Sequence, residues 1–349
     1  MRVGLVGCGG IAPAHLKVYS NMEDVDLVAL CDLDINRAKS MGSTYGVPNI
    51  FDNYWDMFKT QNLDLVDICT PVSTHKKIVC DSSEMVKSIL VEKPMSLTVS
   101  DCDEMIQKVK KEGAKLCIGH NQLFHPNVLY AKNLVDTGRF DLFSFKTTQK
   151  ESFELLKNHK LAPQWNVEPA HKGIIWEVCA HLAYLQLNFL PDIKEVYALG
   201  GKVKYPVYDD FAVLLRTDSD RFGIIELSWV SIETEIVYEL KDPNGRRLQL
   251  YRDFNYYEET SQPPPFSAGG VAKNMLIEEK RLMKKWLKFG SGYFKKKKVL
   301  PTLNLIHNYV DAIKNDLSPP VTPEDGRNTI NLLECIERSL NEKRAIHLN

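Results

Sequence analysis

Residues 7–12 read Gly-Cys-Gly-Gly-Ile-Ala, a G-x-G-x-x-A pattern. It follows an apolar run at 3–6 and opens a helical pattern at 11–22, the setting in which the motif cradles a dinucleotide. Gly7 allows a tight turn, Gly9 lets the backbone approach a pyrophosphate, and Ala12 lets helix and strand pack closely. Gly10 and Ile11 complete the turn, where the helix N-terminus offers N–H donors and the positive end of its dipole to phosphate. The second apolar run ends at Asp32, a carboxylate placed to accept hydrogen bonds from ribose hydroxyls and to repel a 2′-phosphate. NAD is therefore the expected cofactor, with NADP kept open by Arg37 in the next helix. Far downstream, Glu177 and His181 stand four residues apart. On a helix that spacing puts a carboxylate and an imidazole on one face, able to enter one pocket.

These side chains need a frame. The first third of the chain alternates short apolar runs (3–6, 27–31, 65–69, 89–91, 116–118) with helical patterns at 11–22, 36–45, 76–87 and 99–111. Runs without polar alternation are strands covered on both faces, and their alternation with helices predicts an α/β unit, a doubly wound parallel Rossmann sheet. Thr98 is the expected N-cap of the last helix and Gly113 lies just past its end. After about residue 122 the pattern changes. A helix is expected over 126–137, then strands at 143–148, 195–200, 211–217, 222–229, 235–240 and 247–251. Asp242-Pro243-Asn244-Gly245 reads as a hairpin turn. Sequential strands with short turns predict an α+β unit on a mostly antiparallel sheet. With 349 residues the chain is expected to hold two domains, 1–122 and 123–349, the last helix packing back toward the first.

Composition narrows the partners. The net charge is −1, so no overall field draws the protein to nucleic acid or to a membrane. The N-terminus enters a strand pattern at once, without the pattern of a signal peptide, and no apolar run approaches the roughly 18 residues of a membrane span. Eight cysteines occur with no C-x-x-C pair, which predicts free thiols in a reducing cytoplasm and no structural zinc or other metal. Segment 274–298 mixes Met, Leu, Trp and Phe with Lys and Arg; packing within the chain is its expected use, ahead of an anionic lipid surface.

Thr70-Pro71-Val72-Ser73-Thr74-His75 follows the third strand, and Glu92-Lys93-Pro94 follows the fourth. Gly173-Ile-Ile-Trp-Glu-Val-Cys-Ala-His181 and Pro320-Val-Thr-Pro-Glu-Asp-Gly-Arg327 come later. Together with the glycine motif, these make the chain resemble the glucose–fructose oxidoreductase/inositol dehydrogenase (Gfo/Idh/MocA) family over nearly its whole length. The resemblance implies a C-terminal α+β domain on a large open sheet. It also implies NAD(P)-dependent oxidation or reduction of sugars, cyclitols and related polyhydroxylated compounds. Homodimers or homotetramers through that sheet are implied as well. It places Thr70, Pro71, His75, Glu92 and Lys93 by the cofactor, and matches Lys93 and His181 to the family's catalytic lysine and histidine. Three departures stand out. Glu177 replaces the family's aspartate, His171-Lys172-Gly173 replaces a glycine run, and Asn121-Gln122-Leu123-Phe124 lacks a common arginine. The last two lie where the family's substrates bind.

Hydride transfer from a secondary alcohol needs a proton acceptor, a role suited to His181 because free imidazole titrates near neutrality. Lys93 would stabilise negative charge on the reacting oxygen. Glu177 would orient a substrate hydroxyl or the imidazole. Asn121, His120, Trp165, His171 and Lys172 are further substrate-pocket candidates, and Lys172 facing the pocket would suit a sugar phosphate, uronate or nucleotide sugar. The rival reading is an NAD(H)-binding regulatory or sensing protein with little catalysis.

Overall fold

The computed structural model describes residues 1–159, 164–169, 172–252, 256–260, 283 and 301–348. The first six strands are β1 (Arg2–Val6), β2 (Asp26–Cys31), β3 (Asn49–Phe51), β4 (Leu65–Ile68), β5 (Ser88–Val91) and β6 (Lys115–Ile118). They form one parallel sheet in the order β3-β2-β1-β4-β5-β6, the doubly wound Rossmann order. β4 and β5 are buried at every position, as covering on both faces requires. Between the strands run α1 (Ala12–Tyr19), α2 (Ile35–Tyr45), α3 (Tyr54–Thr60), α4 (His75–Ser83) and α5 (Val99–Glu112). Local chemistry sets their ends. Asp34 accepts from Asn36 and Arg37 N–H to start α2, and Thr98 accepts from Asp101 N–H to start α5. Gly113, with φ +66°, ends α5 in the left-handed conformation.

The later helices are α6 (Pro126–Asp136), α7 (Phe153–Asn158), α8 (Gly173–Glu177), α9 (Cys179–Phe189), α10 (Pro301–Lys314) and α11 (Pro323–Glu342). The second sheet holds β7 (Ser144–Ser152), β8 (Ile193–Gly201), β9 (Asp210–Thr217), β10 (Phe222–Ser228), β11 (Val230–Lys241), β12 (Arg247–Tyr251), β13 (Tyr256–Thr260) and β14 (Ile346–His347). Its order is β13-β12-β11-β7-β10-β9-β8-β14, antiparallel throughout except for the parallel pair β7 and β10. The expected hairpin joins β11 to β12, with Asp242 accepting from Asn244 and Arg246 N–H and Gly245 at φ +80°. Along β9, Phe211, Val213 and Leu215 are buried while Ala212, Leu214 and Arg216 alternate outward. The inner face packs against α9, and the outer face shows Leu199 and Leu214 to solvent.

α11 ties the two sheets together. It packs on α5 and β6 of the first and on α9 and β8 of the second. Arg327 pairs with Asp103, Glu334 accepts from Val99 N–H, and Ser339 Oγ accepts from Ala198 N–H. In the first unit two elements escape the sequence pattern: β3 and α3 fill the gap left open between 46 and 64, and in the second α7, β13 and β14 were not expected. All eight cysteines carry free thiols. No helix among the described residues is long and apolar enough to cross a membrane. Segment 274–298 lies outside the described residues save for 283.

Candidate active site

The glycine loop sits at the end of β1. Gly7 has φ +96°, and a Cβ there would lie 2.7 Å from the Cys69 carbonyl, so turn and close packing both demand glycine. A Cβ on Gly9 or Gly10 would meet no protein atom within 4 Å. Open space before bare backbone is what a pyrophosphate needs, and the first turn of α1 is not side-chain capped, since Ile11 is its N-cap. Asp32 holds this loop as well as facing it. Its Oδ2 accepts from Cys8 N–H at 2.7 Å and its Oδ1 from Asp34 N–H at 2.8 Å. Arg37, half-exposed, lies 3.7 Å from both Asp32 and Asp34. The residues present thus fit a dinucleotide. Gly9→Val is expected to abolish NADH binding in a protein that still folds, because its side chain would enter only the phosphate space. NADH fluorescence titration beside a thermal melt checks this, and unchanged affinity would remove the loop from the account.

Thr70 and Pro71 follow β4 at the same edge. His75 braces the loops from behind: Nε2 lies 2.8 Å from Thr70 O and Nδ1 3.0 Å from Pro94 O, and burial lowers its pKa. Glu92 is also turned inward. Its Oε1 lies 3.0 Å from His15 Nε2, and its Oε2 accepts from Lys93 N–H at 3.0 Å. His15 Nδ1 lies 2.7 Å from Asp67 Oδ2, which also accepts from the Tyr19 hydroxyl at 3.0 Å. A buried His–Asp–Glu–Tyr cluster therefore underlies the cofactor edge and holds the backbone of Lys93. Sequence reading missed it, since its members lie 52 and 77 residues apart.

Lys93 precedes a cis peptide bond to Pro94. Its Nζ donates to the Glu177 carbonyl at 2.9 Å and to Glu177 Oε1 at 3.0 Å. Two of its three N–H bonds are taken, and the third can serve a substrate oxygen. Glu177 closes α8 and His181 lies in the first turn of α9, with a break at Val178 where one continuous helix was expected. Glu177 reaches Lys93, and His181 Nδ1 lies 2.7 Å from the Tyr184 hydroxyl. Burial, then Lys93, Arg252 and His120, hold the His181 pKa well below the ordinary value, so its imidazole is neutral at neutral pH. His120 stacks on Tyr184 with ring centroids 4.2 Å apart. Burial and Lys93 bring its pKa down to about 3, and neither ring nitrogen has a partner among the described residues. One donor and one acceptor are thus left buried beside Lys93, suited to a hydroxyl group.

The structure places the other candidates as follows. Asn121 Nδ2 donates to Thr302 Oγ1 at 3.1 Å, and its Oδ1 faces the Tyr184 hydroxyl. Lys172 is engaged by the protein, with Glu337 at 3.2 Å and the Trp176 ring 3.9 Å below its ammonium. Trp165 lies in the 3₁₀ turn Gln164–Val167, and His171 lies outside the described residues. Arg252, at the end of β12, was not anticipated; it acts electrostatically on both His181 and Tyr184.

Residues 1–120 match the GFO_IDH_MocA model, described as an oxidoreductase family with an NAD-binding Rossmann fold, and residues 128–251 match the GFO/IDH/MocA C-terminal domain. The chain belongs to the GFO/IDH/MocA family. It is an oxidoreductase, and its N-terminal unit is the family's NAD-binding fold. Among curated family proteins it is 23% identical to myo-inositol 2-dehydrogenase of Thermotoga maritima, over 100% of this chain and 98% of that protein. It is 20% identical to D-apiose dehydrogenase of Paraburkholderia graminis, over 99% of this chain and 88% of that protein. Among solved structures it resembles the WlbA dehydrogenase of Bordetella pertussis, crystallised with NADH and UDP-GlcNAcA. That TM-score is 0.78 at 18% identity, covering 100% of this chain and 98% of the other. These likenesses agree with the GFO/IDH/MocA fold; the substrates named belong to those relatives.

Proposed function

We propose that this chain catalyses reversible hydride transfer between NAD and a secondary alcohol or ketone carbon of a polyhydroxylated small molecule. The observation that carries this reading is the juxtaposition of Lys93, clamped by Glu177, with a neutral His181 at the cofactor edge. In the oxidative direction His181 Nε2 takes the hydroxyl proton as the C–H bond gives up its hydride and the carbonyl forms. NAD, when bound, supplies the two-electron acceptor. Lys93 stabilises charge developing on the reacting oxygen, and His120 offers a donor and an acceptor to a neighbouring hydroxyl.

The substrate class rests on the site's polarity and on the relatives. Inositol and apiose dehydrogenases act on hydroxyl-rich molecules, and the Bordetella protein holds an anionic nucleotide sugar. Lys93 and Arg252 both bring positive charge to bear on His181, which suits a sugar, an anionic or nucleotide-linked sugar derivative, or a cyclitol. We assign 1–122 to the cofactor and 123–349 to substrate and assembly. Leu199 and Leu214 on the outer sheet face support a homodimer or homotetramer. Eight free thiols support a cytoplasmic location. A screen of inositols, hexoses, hexose phosphates, uronates and nucleotide sugars, with either cofactor, tests the reading. NADH binding with no turnover on any of them would favour a binding protein instead.

Cofactor choice follows from Asp32. Asp32→Ala is expected to weaken NAD binding and narrow the gap to NADP, since it removes both a ribose acceptor and a charge that repels phosphate. Wild-type protein binding NADP more tightly than NAD would overturn the assignment and move attention to Arg37.

A further inference from the structure

Among the described residues, the Tyr184 hydroxyl stands at the centre of a small hydrogen-bond network. Gln122 N–H donates to it at 3.0 Å, His181 Nδ1 lies 2.7 Å away, and Asn121 Oδ1 lies 3.4 Å away. A phenol has one proton and two lone pairs. Gln122 N–H can only donate, so it occupies one lone pair. Asn121 Oδ1 can only accept, and its amide is already turned so that Nδ2 meets Thr302 Oγ1. With the amide in this orientation every partner is satisfied in one arrangement: Tyr184 gives its proton to Asn121 and accepts from both Gln122 N–H and His181 Nδ1–H. In the opposite arrangement Tyr184 donates to His181 Nδ1, and two oxygens face each other at 3.4 Å with no proton between them.

We infer that Tyr184, with Asn121 and Thr302 behind it, is a positioning device that fixes His181 as the Nδ1–H tautomer and so leaves the Nε2 lone pair free to take the substrate proton. The inference rests on His181 being the proton acceptor. The relay runs from Thr302 on α10 through the turn Asn121–Phe124 to α9, so a helix far along the chain sets a proton in the active site. His120 stacks on the ring and holds its plane. Lys93, His120, Arg252 and Tyr184 are the charged or titratable groups acting on His181, with Glu177 bound to Lys93; Glu92 and Tyr238 act on Tyr184. None of these except Tyr184 contacts Nδ1 among the described hydrogen bonds.

The device makes a claim that activity alone would not reveal. In the full-length protein labelled with ¹⁵N-histidine, long-range proton–nitrogen spectra report which ring nitrogen carries the proton, and a His181→Gln variant identifies the signal. Wild type should show the Nδ1–H form. Tyr184→Phe should shift it toward Nε2–H and lower kcat on the order of 10–100-fold, less than losing the base itself, with NAD affinity unchanged. Asn121→Leu keeps Tyr184 but removes the acceptor for its proton, so it should flip the tautomer in the same sense, while Asn121→Asp should restore Nδ1–H. Should Tyr184→Phe fail to fold, the two Asn121 variants decide alone. An Nε2–H wild type, or a tautomer indifferent to Asn121→Leu, overturns the inference. A fully active His181→Gln enzyme would instead overturn the acid–base reading, and the spectrum tells the two failures apart.

Discussion

His181→Ala and Lys93→Ala are each expected to lower turnover by about 10²–10⁴-fold while NADH affinity stays near wild type. Neither side chain belongs to the glycine loop or to Asp32, so the phosphate and ribose contacts survive both changes. The double variant should fall short of the product of the two losses, because both groups act on one reacting oxygen. The pH profile sharpens the test. A buried imidazole beside Lys93 and Arg252 titrates well below the ordinary histidine range. His181 is therefore already the base form at neutral pH, and the acid limb of the oxidative profile should lie below about pH 6.5, flattening above it. Reduction needs the protonated form and should weaken as pH rises through the same region. Steady-state kinetics on the wild type and both variants, beside NADH titrations, give all of this. Near wild-type turnover in His181→Ala would move the proton to Lys93.

Replacing His15 should destabilise the fold by about 3–5 kcal/mol, the scale for removing one partner of a buried ionic group. His15 and Asp67 are wholly buried and Glu92 nearly so. With leucine at 15, both carboxylates lose their shared imidazole and stay in the interior. Burial opposes a charged His15, but Asp67 and Cys69 beside it together more than reverse this and raise its pKa well above the ordinary value. Burial likewise pushes Glu92 up, and His15 more than offsets it, so Glu92 is held below the carboxylate range. The signs give a window. The His15 contribution is complete below the ordinary histidine range and fades as pH climbs through its raised folded value. The Glu92 contribution is complete above the ordinary carboxylate range and fades as acid brings pH through its lowered folded value. Urea midpoints of wild type and His15→Leu should differ most between those limits. Adding Asp67→Asn and Glu92→Gln to His15→Leu should recover part of the loss, since no charge is then left unpaired. Activity should fall too, because Glu92 holds the backbone N–H of Lys93. A His15→Leu protein as stable as wild type would show the cluster is not ionic.

What could be read from the chain follows the range of the interactions. The glycine motif, Asp32 and the strand–helix alternation are local signals, and each fell where local chemistry placed it. Thr98 and Gly113 bound α5 as their types require. β3 did not show because Asn49–Phe51 is three residues long and becomes a strand only by pairing with β2. The break at Val178 leaves no mark in the spacing of Glu177 and His181, since both helices keep the same periodicity. Partner choice was hidden for the same reason. Glu177 was expected to serve a substrate hydroxyl or the imidazole, and its carboxylate meets Lys93 across 84 residues of chain. Tyr184 takes its meaning from the backbone of Gln122 and the amide of Asn121, about 60 residues earlier.

The most direct measurement uses the substrate found by screening, deuterated at its reacting carbon, with NAD in ordinary water. Mass spectrometry of the reduced cofactor reads where the label goes. The account requires the deuterium to appear in NADH, carried as hydride without exchange, and to appear about 10²–10⁴-fold more slowly in His181→Ala and Lys93→Ala at the same protein concentration. Label released to water while NADH forms, or equal transfer by both variants, would contradict it.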